Sequence, residues 1–159
     1  MNMESGLRQG LAALSLSLDD EQIARLLAYL ELLQKWNRVY NLTAVRDPQQ
    51  MLTHHLLDSL AAVPPLQAYR RQHAAHSLLD VGSGGGLPGV VFAICCPDLQ
   101  VHCVDTVGKK AAFIQTAAAQ LRLSNLKSIH ARVEQLQDRY DLISSRAFAT
   151  LADFTAWSR

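Results

Sequence analysis

Residues 78–89 read Leu-Leu-Asp-Val-Gly-Ser-Gly-Gly-Gly-Leu-Pro-Gly, an apolar run that opens into a glycine-rich loop and then a helix. Few local patterns restrict a fold more. A β-prone run that delivers into a helix through glycines is the entry to an α/β crossover, in which the backbone turns tightly and comes close to a ligand. Free N–H groups at the helix start favour a polar or negatively charged group. Pro88 is expected in the first helical turn, where its missing N–H costs nothing. The stretch therefore points to a nucleotide-type cofactor.

Two cofactor classes fit the spacing. Gly84-x-Gly86-x-x-Gly89 satisfies the dinucleotide fingerprint, with a pyrophosphate on the helix N-terminus. Asp80, two residues before Gly82-x-Gly84-x-Gly86, suits S-adenosylmethionine instead. That molecule carries an ammonium and no phosphate, so a carboxylate at the strand end has a role beside it, directly or through water. The same carboxylate is an odd neighbour for a pyrophosphate, and Asp80 tilts the choice to the methyl donor.

The second strand, Val101-His102-Cys103-Val104-Asp105, ends in an acid about 20 residues beyond the loop, where a carboxylate receives the ribose hydroxyls of either cofactor. The plain alternative for Asp105 is an N-cap of the following helix.

At 159 residues the chain has room for one domain, or a compact domain with a small appendage, and for a real core. Its residues are 49% hydrophobic and 18% charged, but no apolar run is long enough to cross a membrane. The N-terminus lacks the order of a signal peptide. Three cysteines, two of them the pair Cys95-Cys96, do not make a disulfide framework, so the expected location is cytoplasmic. The net charge is +1, with seven basic and seven acidic residues in 1–75 and eight and seven in the remainder. Any nucleic-acid surface is then a local patch, not a basic tail.

Residues 1–75 read as a helical cap and residues 76–159 as an α/β domain. From Asp19 to Asn37, Ile23, Leu26, Leu27, Leu30, Leu33 and Trp36 recur at three- and four-residue spacing, giving one apolar face. Asp47-Pro48 opens the next helix and Pro64-Pro65 is expected to close it. Strands are predicted at 78–81, 101–105, 126–130 and 141–144, alternating with helices at 87–95, 107–122 and 147–157. This alternation predicts a parallel sheet covered on both faces, with the end of the fourth strand beside the glycine loop at the topological switch point. The fold class expected is α/β, a Rossmann-like class I methyltransferase sheet with an N-terminal helical cap. Complete sheets of this class have more than four strands. The expectation is a C-terminally truncated sheet whose fourth strand is an unpaired apolar edge.

After that strand the sequence runs Ser144-Ser145-Arg146-Ala147-Phe148-Ala149, without the Asp/Asn-Pro-Pro-Tyr pattern used on exocyclic amines. No cysteine is placed for attack on a pyrimidine. A ring nitrogen with an in-plane lone pair loses no proton when methylated, so alignment of donor and acceptor can supply most of the effect.

Trp36-Asn37-x-x-Tyr40-Asn41-Leu42-Thr43-Ala44-Val45-Arg46-Asp47-Pro48, His55-Leu56-Leu57-Asp58-Ser59, the loop from Asp80 to Gly89, Asp105-x-x-Gly108-Lys109-Lys110, Arg132-Val133-Glu134 and Ser145-Arg146-Ala147-Phe148-Ala149 follow one another in order. Over about residues 10–159 the chain resembles the RsmG (GidB) family, which methylates guanine N7 in 16S small-subunit ribosomal RNA. The resemblance implies a cofactor site of Asp80, Gly82, Gly84, Gly86, Leu87, Asp105, Val133, Glu134 and Arg146, with Val133 and Glu134 flanking the adenine. Arg146, beside the methyl donor and the incoming base, is the candidate catalytic residue. Lys109, Arg132, His55 and Asn41 are candidate RNA contacts, and the expected state is a monomer acting on ribosomal RNA or the small subunit, away from membranes. A nicotinamide-dependent oxidoreductase and a non-catalytic cofactor- or RNA-binding module are the rival readings. Tyr40 and Trp36 are candidates to stack on an unpaired base, although Trp36 also falls on the apolar stripe. The histidines lack companions at metal spacing, and no metal is expected.

Overall fold

The computed structural model describes residues 2–40, 42, 47–82, 85–136, 139–145 and 155–157. Its helical layer begins with α1 (Met3–Ala13), capped by Asn2, whose Oδ1 accepts from Ser5 N–H at 2.7 Å. The periodic face starting near Asp19 becomes α2 (Asp20–Tyr40). A reciprocal pair sets its start: Asp19 Oδ1 accepts from Gln22 N–H at 2.7 Å, and Gln22 Oε1 accepts from Asp19 N–H at 3.0 Å. Two donors that the first turn leaves unpaired are thereby satisfied.

Asp47 caps α3 (Pro48–Gln50), which continues through a π-helical turn, Met51–Leu56, into α4 (Leu57–Ala61). The expectation that Pro64 and Pro65 close this helix needs correcting. The break falls at Ala62, and the two prolines lie in the first turn of α5 (Val63–His73), where a missing N–H breaks no helical bond. Ala74, at φ 50°, ends α5 in the left-handed conformation.

The second half alternates as predicted: β1 (Ser77–Val81), α6 (Gly89–Cys95), β2 (Gln100–Asp105), α7 (Gly108–Gln120), β3 (Leu126–His130), a 3-10 turn at Val133–Gln135, and β4 (Tyr140–Ser145). The sheet order is β3-β2-β1-β4-β5, and the first four strands are parallel. The fifth, β5 (Thr155–Trp157), runs antiparallel to β4. Two expectations are overturned here. Residues 155–157 are strand, not the end of a helix over 147–157, and β4 is not an unpaired edge because β5 bonds to it. Residues 146–154 lie outside the described residues.

Strand alternation sends Leu78, Val101, Cys103 and Leu142 to one side of the sheet, where they join α2, α6 and α7 in one large core. Every residue of α6 is buried. Its Phe92, fully enclosed, contributes on the order of 1.5–3 kcal/mol by leaving water. The opposite side carries a smaller cluster of Leu79, Val104 and Tyr140, against which Val133 and Leu136 pack from the 3-10 turn. Helical cover on both faces is thus not found among the described residues.

Polar clamps fix the N-terminal edge of the sheet. Asp141 Oδ2 accepts from His76 N–H and Ser77 N–H at 2.7 and 3.2 Å, while Ser77 Oγ accepts from Asp141 N–H at 2.9 Å. Arg70 of α5 grips Asp98 with two hydrogen bonds of 3.2 and 2.9 Å. That guanidinium holds the Asp98 carboxyl below the usual carboxylate range. With these clamps at one edge, the loops at the other are left to build a site.

Candidate active site

At the C-terminal edge of the sheet, β1 delivers Gly82 and β2 delivers Asp105 on neighbouring strands. Gly82 donates its N–H to Val104 O at 2.9 Å, which locks the loop entry to β2. Its φ is 67°, and among the described residues a Cβ built on it meets no atom within 4 Å. The strained conformation calls for glycine, and the space before it is open, as a cradle for a ligand requires. Gly86, at φ 95°, also has a positive φ, and Gly84 lies outside the described residues.

Asp80 lies directly behind this loop, completely buried. Its Oδ2 accepts from Gly89 N–H at 2.9 Å, and its Oδ1 accepts from the Ser144 hydroxyl at 3.0 Å. One carboxylate therefore ties the loop exit to β1 and β4 together. This placement also bears on the cofactor class. The first N–H of α6, where a dinucleotide would set its pyrophosphate, already serves a protein carboxylate. A second anion there would meet like charge in a buried setting. Gly89 is required by close packing: a Cβ there would overlap Cys103 Sγ and lie 2.7 Å from Asp80 Oδ2. Pro88 is found at the N-cap of α6, one residue earlier than its expected place in the first turn.

Asp105 is not the N-cap of α7; Val107 holds that position. The Asp105 carboxylate accepts from Val107 N–H at 2.9 Å in a local turn. Its backbone carbonyl accepts from Ala131 N–H at 3.1 Å, drawing in the 3-10 turn that carries Val133 and Glu134. Val133 is half-buried against the smaller core and Glu134 is exposed. Lys109, in the first turn of α7, and Arg132, before the 3-10 turn, are both exposed and both follow Asp105 in the chain, one after β2 and the other after β3. The structure thus gathers Gly82, Asp105, Val133, Glu134, Lys109 and Arg132 at one edge.

Other expected positions fall elsewhere. Leu87 is buried in the main core, so its side chain packs and does not line an open pocket. His55 is buried in the π-helical turn, which packs on α1 and α2, and so does not face an RNA cleft. Its neighbours Leu52, Leu56, Ser59 and Leu60 are buried as well, which explains its enclosure. Asn41 and Arg146 lie outside the described residues. Trp36 is half-buried, edge-on to Phe113 with ring centroids 5.5 Å apart, and 5.1 Å from the ring of Tyr40, which is exposed.

Two contributors escaped the sequence reading. Ser144 is a partner of Asp80, visible only once β1 and β4 are paired. Tyr29 of α2 donates its hydroxyl to Gly85 O at 2.6 Å, in a buried bond between the helical layer and the glycine loop. Its signal was a hydroxyl on an apolar stripe, three residues from Leu26 and four from Leu33.

A glycine turn after the first parallel strand and an acid after the second make a Rossmann-like cofactor edge, and the buried carboxylate on the helix start gives it the form of the class I methyltransferases, which use S-adenosylmethionine. Within that class the chain belongs to the GidB family, rRNA small subunit methyltransferase G, whose model matches residues 22–159. Among curated relatives, the ribosomal RNA small subunit methyltransferase G of Acidovorax ebreus (strain TPSY) is 68% identical over 99% of this chain and 73% of its own length. Those of Acidovorax sp. (strain JS42) and Paracidovorax citrulli (strain AAC00-1) are 67% and 63% identical over 99% of this chain, covering 73% and 69% of theirs. Family membership leaves no support for the nicotinamide reading of the loop.

Proposed function

We infer that this chain binds S-adenosylmethionine at the C-terminal edge of the sheet and transfers its methyl group to N7 of a guanine in 16S small-subunit ribosomal RNA. The observation that carries the reading is the pairing of an open glycine cradle at Gly82 with Asp105 on the next strand, backed by a buried acid where a phosphate would otherwise sit. The cofactor brings a methyl carried on a sulfonium centre. Asp105 receives the ribose hydroxyls, Val133 and Glu134 flank the adenine, and the backbone of Gly82, Gly84 and Gly86 approaches the amino-acid end. Asp80 acts from behind the loop, as a buried negative charge on the ammonium side.

Guanine N7 presents a lone pair in the ring plane and gives up no proton on methylation. The protein then has no proton to remove; its work is to hold the acceptor in line with the donor and to exclude water. Arg146, following β4 at the switch point, is assigned to the lip between donor and base. Lys109 and Arg132 contact phosphates, which orient the RNA without reading sequence. Asn41, next to Tyr40 in the sequence, is a further RNA contact, and the exposed Tyr40 offers a face for stacking. Residues 1–75 serve as the cap and 76–159 as the cofactor domain. The working form is a cytoplasmic monomer; among the described residues no helix is long and apolar enough to cross a membrane.

The test is incubation of small subunits lacking the modification with labelled S-adenosylmethionine, followed by mapping of N7-methylguanine. Label at a guanine N7 is expected. Calorimetric binding of NADH in preference to S-adenosylhomocysteine would sink the reading. Cofactor binding without transfer would make the chain a binding module.

A further inference from the structure

We propose that Tyr29 is a positioning residue for the cofactor, acting through the peptide between Gly85 and Gly86. The proposal rests on S-adenosylmethionine as the ligand of the loop. Gly84, Gly85 and Gly86 run in succession, so this stretch has no side chains of its own with which to fix its peptide planes. The constraint comes from α2. Tyr29 is fully buried, and its hydroxyl donates to Gly85 O at 2.6 Å. The same hydroxyl lies 3.5 Å from where a Cβ of Gly86 would stand. One turn further along α2, Leu33 closes on Gly85: its Cδ1 is 2.9 Å from the Cβ position there.

A trans peptide is planar, with its C=O and N–H on opposite edges. Holding the Gly85 carbonyl against α2 turns the Gly86 N–H away from α2, as a donor for the carboxylate of the cofactor's amino-acid end. The orientation is well defended, because a flipped peptide would leave both the carbonyl and the tyrosine hydroxyl buried without this bond. Phe113 of α7, its ring centroid 6.3 Å from that of Tyr29, limits sideways movement of the phenol. The loop's geometry is thereby set from outside the sheet, by Tyr29 and Leu33 of one helix.

Tyr29→Phe keeps the ring and removes only the donor. Its affinity for S-adenosylhomocysteine, measured by calorimetry well below the melting temperature, is expected to fall roughly ten-fold, the scale of one hydrogen bond. In methyl transfer the KM for S-adenosylmethionine should rise by a similar factor, with kcat and the KM for RNA nearly unchanged. Tyr140→Phe serves as a matched control: it removes a hydroxyl 2.8 Å from His102 Nδ1 near the opposite edge of the sheet and should leave cofactor affinity intact. A lower melting temperature with unaltered cofactor affinity in Tyr29→Phe would overturn the proposal. If that variant does not fold, Leu33→Met, which shifts the group against Gly85 at similar volume, should weaken binding in the same direction; no change would overturn it. Failure of the unmodified chain to bind S-adenosylhomocysteine would instead refute the cofactor reading.

Discussion

Asp80 and Asp105 are both acids at the ends of neighbouring strands, yet their surroundings assign them different work. Asp80 spends its oxygens on Gly89 N–H and Ser144 Oγ in complete burial, and so shapes the loop. Asp105, also buried, accepts from Val107 N–H through Oδ1 in a turn at the C-terminal edge of the sheet, on the strand next to the one that delivers Gly82. Asp105→Ala should therefore weaken S-adenosylhomocysteine binding by about 1.5–3 kcal/mol, the range for hydrogen bonds to a charged acceptor. Calorimetry reads this directly, and unchanged affinity would reduce Asp105 to a local turn former. Both acids were legible in the sequence by spacing alone. The partners that separate their roles were not, because Ser144 lies 64 positions from Asp80 and reaches it only through parallel pairing of β1 with β4.

Elements were legible wherever period and punctuation agreed. The stripe from Ile23 to Trp36 gave α2, and β-branched or apolar runs before polar turns gave the four parallel strands. Pro64 and Pro65 misled because proline interrupts a helix and also begins one; nothing local to the pair says which. The strand at Thr155–Trp157 was missed because so short a segment is decided by the pairing offered by β4 and not by its own pattern. Long-range polar contacts fix how elements end. Asn125 donates through Nδ2 to Ala93 O, Leu99 O and Cys96 O at 3.0, 2.9 and 3.1 Å, gathering the carbonyls at the end of α6. Asn125→Ala is expected to lower stability in urea by about 1–3 kcal/mol, since it orphans buried acceptors. Cofactor affinity should hold, because α6 meets the site at its other end. A variant as stable as the parent would show that solvent reaches those carbonyls.

For the whole molecule, the cysteines report on burial. Desolvation pushes the Cys96 thiol from an ordinary 9.0 up to about 11, and raises that of Cys95 further. An acid whose folded pKa is raised favours the native state fully below its unfolded value. That contribution is lost as pH climbs from about 9 towards about 11, so stability should decline across this alkaline window. Urea midpoints measured between pH 8 and 11 test the slope. At pH 8 the native thiols should react with an aromatic disulfide reagent only at the rate of unfolding, and prompt modification would contradict the enclosure.

The large core that joins α1 and α2 to α6 and α7 has a consequence for how binding is felt at a distance. Elements that share one interior melt together, so a ligand holding the loop also raises the cost of opening a helix it never touches. With S-adenosylhomocysteine at about 100 times its Kd, linkage adds roughly 2.7 kcal/mol. Hydrogen exchange at Leu7 and Leu11 of α1 should slow correspondingly, by about a hundred-fold where exchange proceeds through global unfolding. The first helix of the chain would then serve as a remote gauge of cofactor occupancy, readable without any probe at the site itself.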